Sequence, residues 1–375
     1  MVYLDNAATT AMSEVAIKAL IEISSEQYGN PSAIYGLGRK TKEILESARK
    51  IIADCIGAEP GEIFFTSCGT ESDNWVIRQV LNGYDRLITS QIEHHAILHP
   101  AELLGEKVIY LPVNSECMVN EETLEKALDG SKVITSIMLQ NNETGAIQNI
   151  KELAEHVHED NPESVFHTDA VQAVGHMHIN VRELGVDMMS ASAHKFNGPK
   201  GVGFIFINKN CKINPFILGG GQEKGMRSGT ENVAGIFSMA KALEDNINNL
   251  EKIQDKVEHL EKLLFLLLQN SKIKYKVNGG ENRAKGIVNL SIAGLNGEGL
   301  LNMLDMHNVC ISIGSACNSK SQERSHVLLA MGLDKETIDS SVRISIGRFN
   351  TENDIYELVK WISTFKKITA LADLQ

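Results

Sequence analysis

No stretch of about 18 apolar residues occurs in this chain, the length a helix needs to cross a bilayer, so no membrane span is expected. The first residues, MVYLDNAATT, bring an aspartate early and lack a basic-then-apolar leader, so no signal peptide is expected either. The six cysteines (Cys55, Cys68, Cys117, Cys211, Cys310 and Cys317) include no CxxC pair. That spacing argues against a structural zinc site and a disulfide framework, and for free thiols in a reducing cytoplasm. An excess of basic residues is missing as well. The net charge of −12 argues against a general nucleic-acid or anionic-membrane surface, though a local basic pocket stays compatible with it. There is no internal repeat, no low-complexity run, and no GxGxxG after a first strand, so a Rossmann dehydrogenase is not supported.

What is present is an ordinary globular composition, 43% hydrophobic and 22% charged over 375 residues, a length that favours two domains. Helix-like segments near 13–26, 37–57, 71–82 and 150–160 alternate with strand-like runs at Ile63–Thr66, Arg86–Ser90, Val108–Leu111, Val133–Met138, Ser164–Thr168 and Val202–Ile207. Such alternation implies an α/β architecture with a mostly parallel central sheet, whose ligands bind at the carboxyl ends of the strands. A long helical stretch over 231–270 then leads into strands near 286–291 and 341–346 and helices near 297–307 and 351–367, a smaller α+β domain. The expected division is a large domain over 13–250 and a small one made of 1–12 and 251–375, with the N-terminal segment folding back.

Six short segments carry candidate chemistry, and each also has an ordinary structural explanation. Lys195, after a strand and before a glycine-rich turn, suits an imine-forming amine or a plain loop lysine. Asp169 at a strand end suits the protonated nitrogen of a pyridine ring or a helix cap. The run TSCGTES at 66–72 suits a phosphate seat at a helix start, or a simple N-cap. His94, in Glu93-His94-His95, suits a ring-stacking proton carrier or a satisfied polar residue, and no third metal ligand has matching spacing. Cys317, among small and polar residues with Lys320 close by, suits a nucleophile on a mobile exposed loop, or a structural cysteine. Cys310, between Val309 and Ile311, reads as a buried strand residue. Arg343, set in an apolar strand, requires an anion: a substrate carboxylate or a structural salt bridge.

In order along the chain stand DNAATT at 5–10, GNPSA at 29–33, TSCGTES at 66–72, EHH at 93–95 and NNETG at 141–145. HTDAVQ at 167–172, SAHKFNGPKG at 192–201, MRSGTEN at 226–232, GSAC at 314–317 and SSVRISIGR at 340–348 follow. This series closely resembles the group I cysteine desulfurases of the NifS/IscS type, in the class V aminotransferase branch of fold-type I pyridoxal-phosphate enzymes. The resemblance covers nearly the whole chain. It implies conversion of L-cysteine to L-alanine, with the sulfur passed to Cys317 as a persulfide and onward to an acceptor protein of iron–sulfur cluster assembly or tRNA thiolation.

Carried onto this sequence, the resemblance implies that Lys195 holds pyridoxal 5'-phosphate covalently, Asp169 pairs with the ring nitrogen and Gln172 bonds the phenolic oxygen. His94 would stack on the ring and move protons. Gly69, Thr70, Ser192 and His194 would seat the phosphate. Thr230 would reach the phosphate of a second copy, which implies a homodimer. Asn142 and Arg343 would hold the substrate carboxylate, with Asn6 and Ala7 nearby. A chain that ends soon after its last helix would lack the longer tail that helps the iron–sulfur enzymes dock a scaffold. Cys68, Tyr35 and Arg324 depart from residues common in the family. A selenocysteine lyase, a cysteine sulfinate desulfinase, an aminotransferase and a non-catalytic relative share the scaffold. Cys317 argues against the first three, and Lys195, Asp169 and His94 together argue against the last. A Cys–His protease would leave that lysine constellation unexplained.

Overall fold

Several helices here start at hydroxyl or amide side chains, and the helices Gly36–Ile56 and Val181–Leu184 stop at left-handed glycines. Ser13 caps the helix Glu14–Glu26 by accepting the Ala16 N–H. The next helix, Gly36–Ile56, buries Thr41, Leu45, Ala48, Ile52, Ala53 and Ile56 at three- and four-residue spacing, one stripe facing the core. It ends at Gly57, whose φ of 71° a larger residue rarely adopts, and where a Cβ would lie 2.7 Å from the Asn180 side chain. The computed structural model describes residues 1–314 and 324–372.

Twelve strands form among the described residues: β1 (Val2–Tyr3), β2 (Ile63–Thr66), β3 (Arg86–Ser90), β4 (Val108–Leu111), β5 (Val133–Ser136), β6 (Val165–Asp169), β7 (Met188–Ser192), β8 (Gly203–Ile207), β9 (Tyr275–Asn278), β10 (Ile287–Ile292), β11 (Val309–Cys310) and β12 (Ser341–Ser345). Seven build the main sheet in the order β2-β8-β7-β6-β5-β3-β4. Only β8 runs against its neighbours, so the fold is α/β with a mostly parallel central sheet. Because β2 and β7 are both antiparallel to β8, the strands β2, β3, β5, β6 and β7 all point the same way. Their carboxyl ends therefore share one edge, where ligands gather in such sheets.

Both faces of this sheet are apolar. One packs Ile52, Phe65, Phe166, Phe204 and Leu243 into a large cluster. The other packs Trp75, Leu87, Ile134 and Ile205. A separate cluster surrounds the three-stranded sheet β12-β10-β9 and holds Leu264, Leu290, Ile344 and Leu358. Val2 and Leu4 belong to this second cluster, and β1 pairs in parallel with β11.

The long helical stretch expected over 231–270 is two helices, Val233–Asn248 and Leu250–Asn270. Asn249 breaks them at φ −113°, ψ 12°, and its amide bonds the Asp245 carbonyl at 2.8 Å, a side-chain bond that competes with the helical ladder. The first helix packs Ile236, Met239 and Leu243 into the main cluster; the second packs Leu260, Leu264 and Leu268 into the other. The strand expected over 133–138 ends at Ser136, yet Ile137 and Leu139 still donate to the His167 and Asp169 carbonyls. Strand β9 escaped the sequence reading because its lysine and half-exposed faces break an apolar run. Cys310 is partly exposed, since among the described residues β11 pairs only with the two-residue β1.

Phe166 is fully buried in the middle of the main sheet, whereas Leu103 is 89% exposed. Replacing Phe166 with Ala is expected to cost about 3–5 kcal/mol of stability. Leu103→Ala should stay within roughly 0.5 kcal/mol of the parent. Urea unfolding of the two variants checks the contrast, and equal costs would contradict the assigned core.

Candidate active site

Five strands deliver polar groups to the shared edge. After β2 the chain turns at Ser67 and enters the helix Gly69–Gln79. Gly69 is required there, because a Cβ would lie 2.6 Å from the Val171 side chain and 3.6 Å from Ser192. After β3 comes His94, which caps the helix His95–Glu102. Beyond β5 lies Asn141, whose carbonyl side-chain oxygen takes the Glu143 and Thr144 N–H groups and so shapes the turn that presents Asn142. Strand β6 ends on Asp169, and β7 ends on Ser192 just before His194 and Lys195.

The N-terminal turn closes this edge. Ala7 offers one carbonyl to two donors, Lys195 Nζ at 2.6 Å and Gln172 Nε2 at 2.9 Å, and Ala8 takes a second bond from Lys195 at 3.0 Å. The Ala7 N–H donates to Ser345 Oγ, and the Asn6 amide spans the Ser345 carbonyl and Asn350. Thr9 meets His194 Nδ1 at 3.1 Å, while Thr10 takes the Asn197 N–H. His176 bonds the carbonyl of Lys195 itself at 2.9 Å. Ser345, Thr10 and His176 were not singled out from the sequence. The paired threonines of DNAATT and the serine of VRIS were visible, but only the fold brings them to Lys195.

Burial sets the electrostatics. Desolvation, with the Lys195 charge next, pushes the His94 imidazole down to about 4, so it is neutral at neutral pH. The Ala96 N–H donates to His94 Nδ1 at 3.1 Å, which puts the exchangeable proton on Nε2. The His194 ring is likewise pushed down to about 4 by desolvation and by Lys195. Asp169 is raised to about 6 by burial, against the Val171 N–H and Lys195, which hold it down. Its Oδ1 accepts the Val171 N–H at 2.9 Å in a turn, but the next helix, Val181–Leu184, starts at Asn180, so Asp169 caps no helix. Behind it, Asp73 is raised well above its usual range, by burial first and the Asp169 charge second.

Arg343 is 1% exposed and meets Asp5 at 2.7 Å and the Asn142 carbonyl at 2.9 Å. Of the two explanations of this buried arginine, a structural salt bridge is therefore present, and its Nε is buried without a hydrogen-bond partner. The same holds for Ser192 Oγ. Thr70 sits exposed at the helix start, and Thr230 is exposed three residues beyond Arg227. Cys317 lies outside the described residues; the other five cysteines are free thiols. Among the described residues, no cluster of histidine, cysteine or acidic side chains has the arrangement of a metal site. Of the three departures noted in the sequence, Cys68 precedes the helix at Gly69 and Tyr35 precedes that at Gly36, neither capping through its side chain, and Arg324 forks onto Asp339.

The profile of the family described as Aminotransferase class-V matches residues 2–358. A protein named cysteine desulfurase IscS from Clostridium botulinum is 43% identical over 94% of this chain and 91% of its own length. A solved structure described as a NifS-like protein superposes with a TM-score of 0.91 at 36% identity, covering 98% of this chain and 99% of the other. Another, described as SspA in complex with cysteine, gives 0.82 at 30% identity over 94% of this chain and 100% of its own.

Glu93 lies fully buried beside this edge, bonded by Ser90 and the Met138 N–H, and burial pushes its carboxyl up to about 8. An unfolded glutamate ionises near about 4.3. Between these values the native state keeps a proton that the unfolded state has lost, so stability falls as pH rises. Glu93→Gln should remove that slope. Urea midpoints from pH 5 to 8 are expected to cross in the variant's favour on the alkaline side, and parallel curves would refute the assignment.

Proposed function

The chain belongs to the class V aminotransferase family and, within it, to the cysteine desulfurases, and from that premise we propose which residues perform the reaction. The observation that carries the assignment is the convergence of Asp169 and Gln172 at the end of β6, Lys195 after β7 and His94 after β3: Lys195 and Gln172 share the Ala7 carbonyl, and the Lys195 charge acts on His94 and Asp169. We assign pyridoxal 5'-phosphate to this place, and the donor set fits it. Gly69 leaves no room for a side chain at the helix start, and Ser192 Oγ is buried without a partner beside it.

In this reading Gly69, Thr70, Ser192 and His194 hold the phosphate, Lys195 forms the covalent link, and Gln172 bonds the phenolic oxygen. Asp169 faces the ring nitrogen. When bound, the cofactor supplies a ring that accepts the electron pair released as the substrate loses its α-proton. A cationic ring nitrogen would draw the Asp169 carboxyl back down into its ionised form, and the salt bridge would keep that nitrogen protonated. His94, neutral with its proton on Nε2, gives a proton from Nε2, and it takes one up at Nδ1 once that nitrogen leaves the Ala96 N–H. Asn142 and Arg343 receive the carboxylate of L-cysteine near Asn6 and Ala7, with the unsatisfied Nε of Arg343 as one donor. Cys317, as thiolate, then takes the substrate's sulfur: a sulfur–sulfur bond forms, the carbon–sulfur bond breaks, and alanine leaves.

We further propose a homodimer, in which exposed Thr230 reaches the phosphate held by a second copy, and a large domain over 13–250 with a small one from 1–12 and 251–375. The persulfide would pass to an acceptor protein of iron–sulfur assembly or tRNA thiolation in the cytoplasm. Among the described residues no helix is long and apolar enough to cross a membrane.

Purified protein loaded with pyridoxal phosphate should convert L-cysteine to alanine and, with a reductant, sulfide. Cys317→Ala should lose sulfide release by roughly a hundredfold or more while keeping the cofactor's absorption. Alanine formed equally well by that variant would point to a lyase acting on another substrate. No cofactor absorption in the wild type would overturn the reading.

A further inference from the structure

The helix Gly69–Gln79 carries an acid, Glu71, in its first turn. A carboxylate there is favourable for the helix alone, since it faces the positive end of the dipole. It is unfavourable for a helix start that must also hold a phosphate, because a like charge opposes the dianion over a short distance. Glu71 also folds back to accept the Ser67 N–H at 2.8 Å, which withdraws one backbone donor from the turn.

Arg227 answers this charge. Its Nε reaches Glu71 Oε1 at 2.7 Å and its Nη2 reaches Oε2 at 3.1 Å, a forked pair with side chains 20% and 11% exposed. Burial raises the Glu71 carboxyl, but the bonds from Arg227 and Ser67 outweigh it and hold the group ionised below its usual range. The arginine comes from a loop that is itself fixed. Phe216 bonds the Met226 carbonyl and Ser228 the Ile217 carbonyl, both at 2.8 Å. Buried Glu223 forks with Arg49 at 2.8 and 2.9 Å and accepts the Phe65 N–H of β2. Glu223 and Lys224 hold left-handed φ values of 47° and 58°, strain that this clamp keeps in place.

We propose that Arg227 is a positioning residue for the cofactor phosphate: by neutralising Glu71 it leaves the helix start attractive to a dianion. This rests on the reading of Gly69 and Thr70 as the phosphate seat. The pair matters to the phosphate through charge, so removing the arginine exposes the carboxylate, and removing both charges restores the seat. Gln at 71 can still accept the Ser67 N–H, which separates the electrostatic role from the structural one.

The test titrates apoprotein with pyridoxal phosphate by absorbance, and in parallel with pyridoxal, which has no phosphate. Arg227→Ala should bind pyridoxal phosphate about tenfold more weakly and pyridoxal as wild type does. The double variant Glu71→Gln/Arg227→Ala should return to within about threefold of wild type. Glu71→Gln alone should bind at least as tightly as wild type, which keeps the test decisive should Arg227→Ala misfold by circular dichroism. Unchanged affinity in Arg227→Ala, failure of the double variant to recover, equal weakening toward pyridoxal, or weaker binding by Glu71→Gln would each overturn the proposal. Wild-type protein that does not bind pyridoxal phosphate would instead refute the seat itself.

Discussion

The carbonyl of Ala7 is the acceptor on which the site's geometry depends. Lys195 and Gln172, from two different strand ends of the main sheet, both donate to it. The same residue's N–H reaches Ser345 at the end of β12, in the other sheet. One backbone unit thus ties a charged amine, a neutral amide and a strand of the second core to a single point. A charge-assisted bond to a carbonyl is stronger than a neutral one, so the amine's position is well defined before any substrate arrives. The N-terminal turn can hold that place because Val2 and Leu4 anchor it in the second apolar cluster.

Around this point, the fold places ionisable groups where water does not reach them, and their charge states follow. The His167 ring is pushed down to about 3 by burial and bridges Ser136 and Ser190 as a neutral group. Burial and the Asp169 charge raise Asp73 well above its usual range, and burial pushes Glu93 up to about 8. Asp169 is raised only to about 6, since the Val171 N–H and the Lys195 charge oppose its burial. Asp169 therefore ionises more readily than Glu93, the property a partner for a cationic ring needs.

Much of this was legible in the sequence, for specific reasons. The strands of the main sheet are short apolar runs bounded by polar turns, so their positions and parallel character could be read directly. Lys195, Asp169, His94 and the glycine of TSCGTES each sit at a strand end, where chemistry is sought in such folds. Local pattern could not reveal contacts between distant segments. Asp5 with Arg343, Thr9 with His194 and Arg227 with Glu71 join residues 338, 185 and 156 positions apart. The break at Asn249 was missed because lysine, glutamate and leucine keep helical spacing on both sides, and only the two separate cores show why the chain turns there.

The central claim is that Lys195 is the amine that binds the cofactor. Borohydride reduction of the protein loaded with pyridoxal phosphate, followed by peptide mass mapping, tests it most directly. The expected result is one stoichiometric pyridoxyl adduct, on the peptide containing Lys195. An adduct centred on Lys200 or another lysine, or spread over several at low occupancy, would contradict the account of this site.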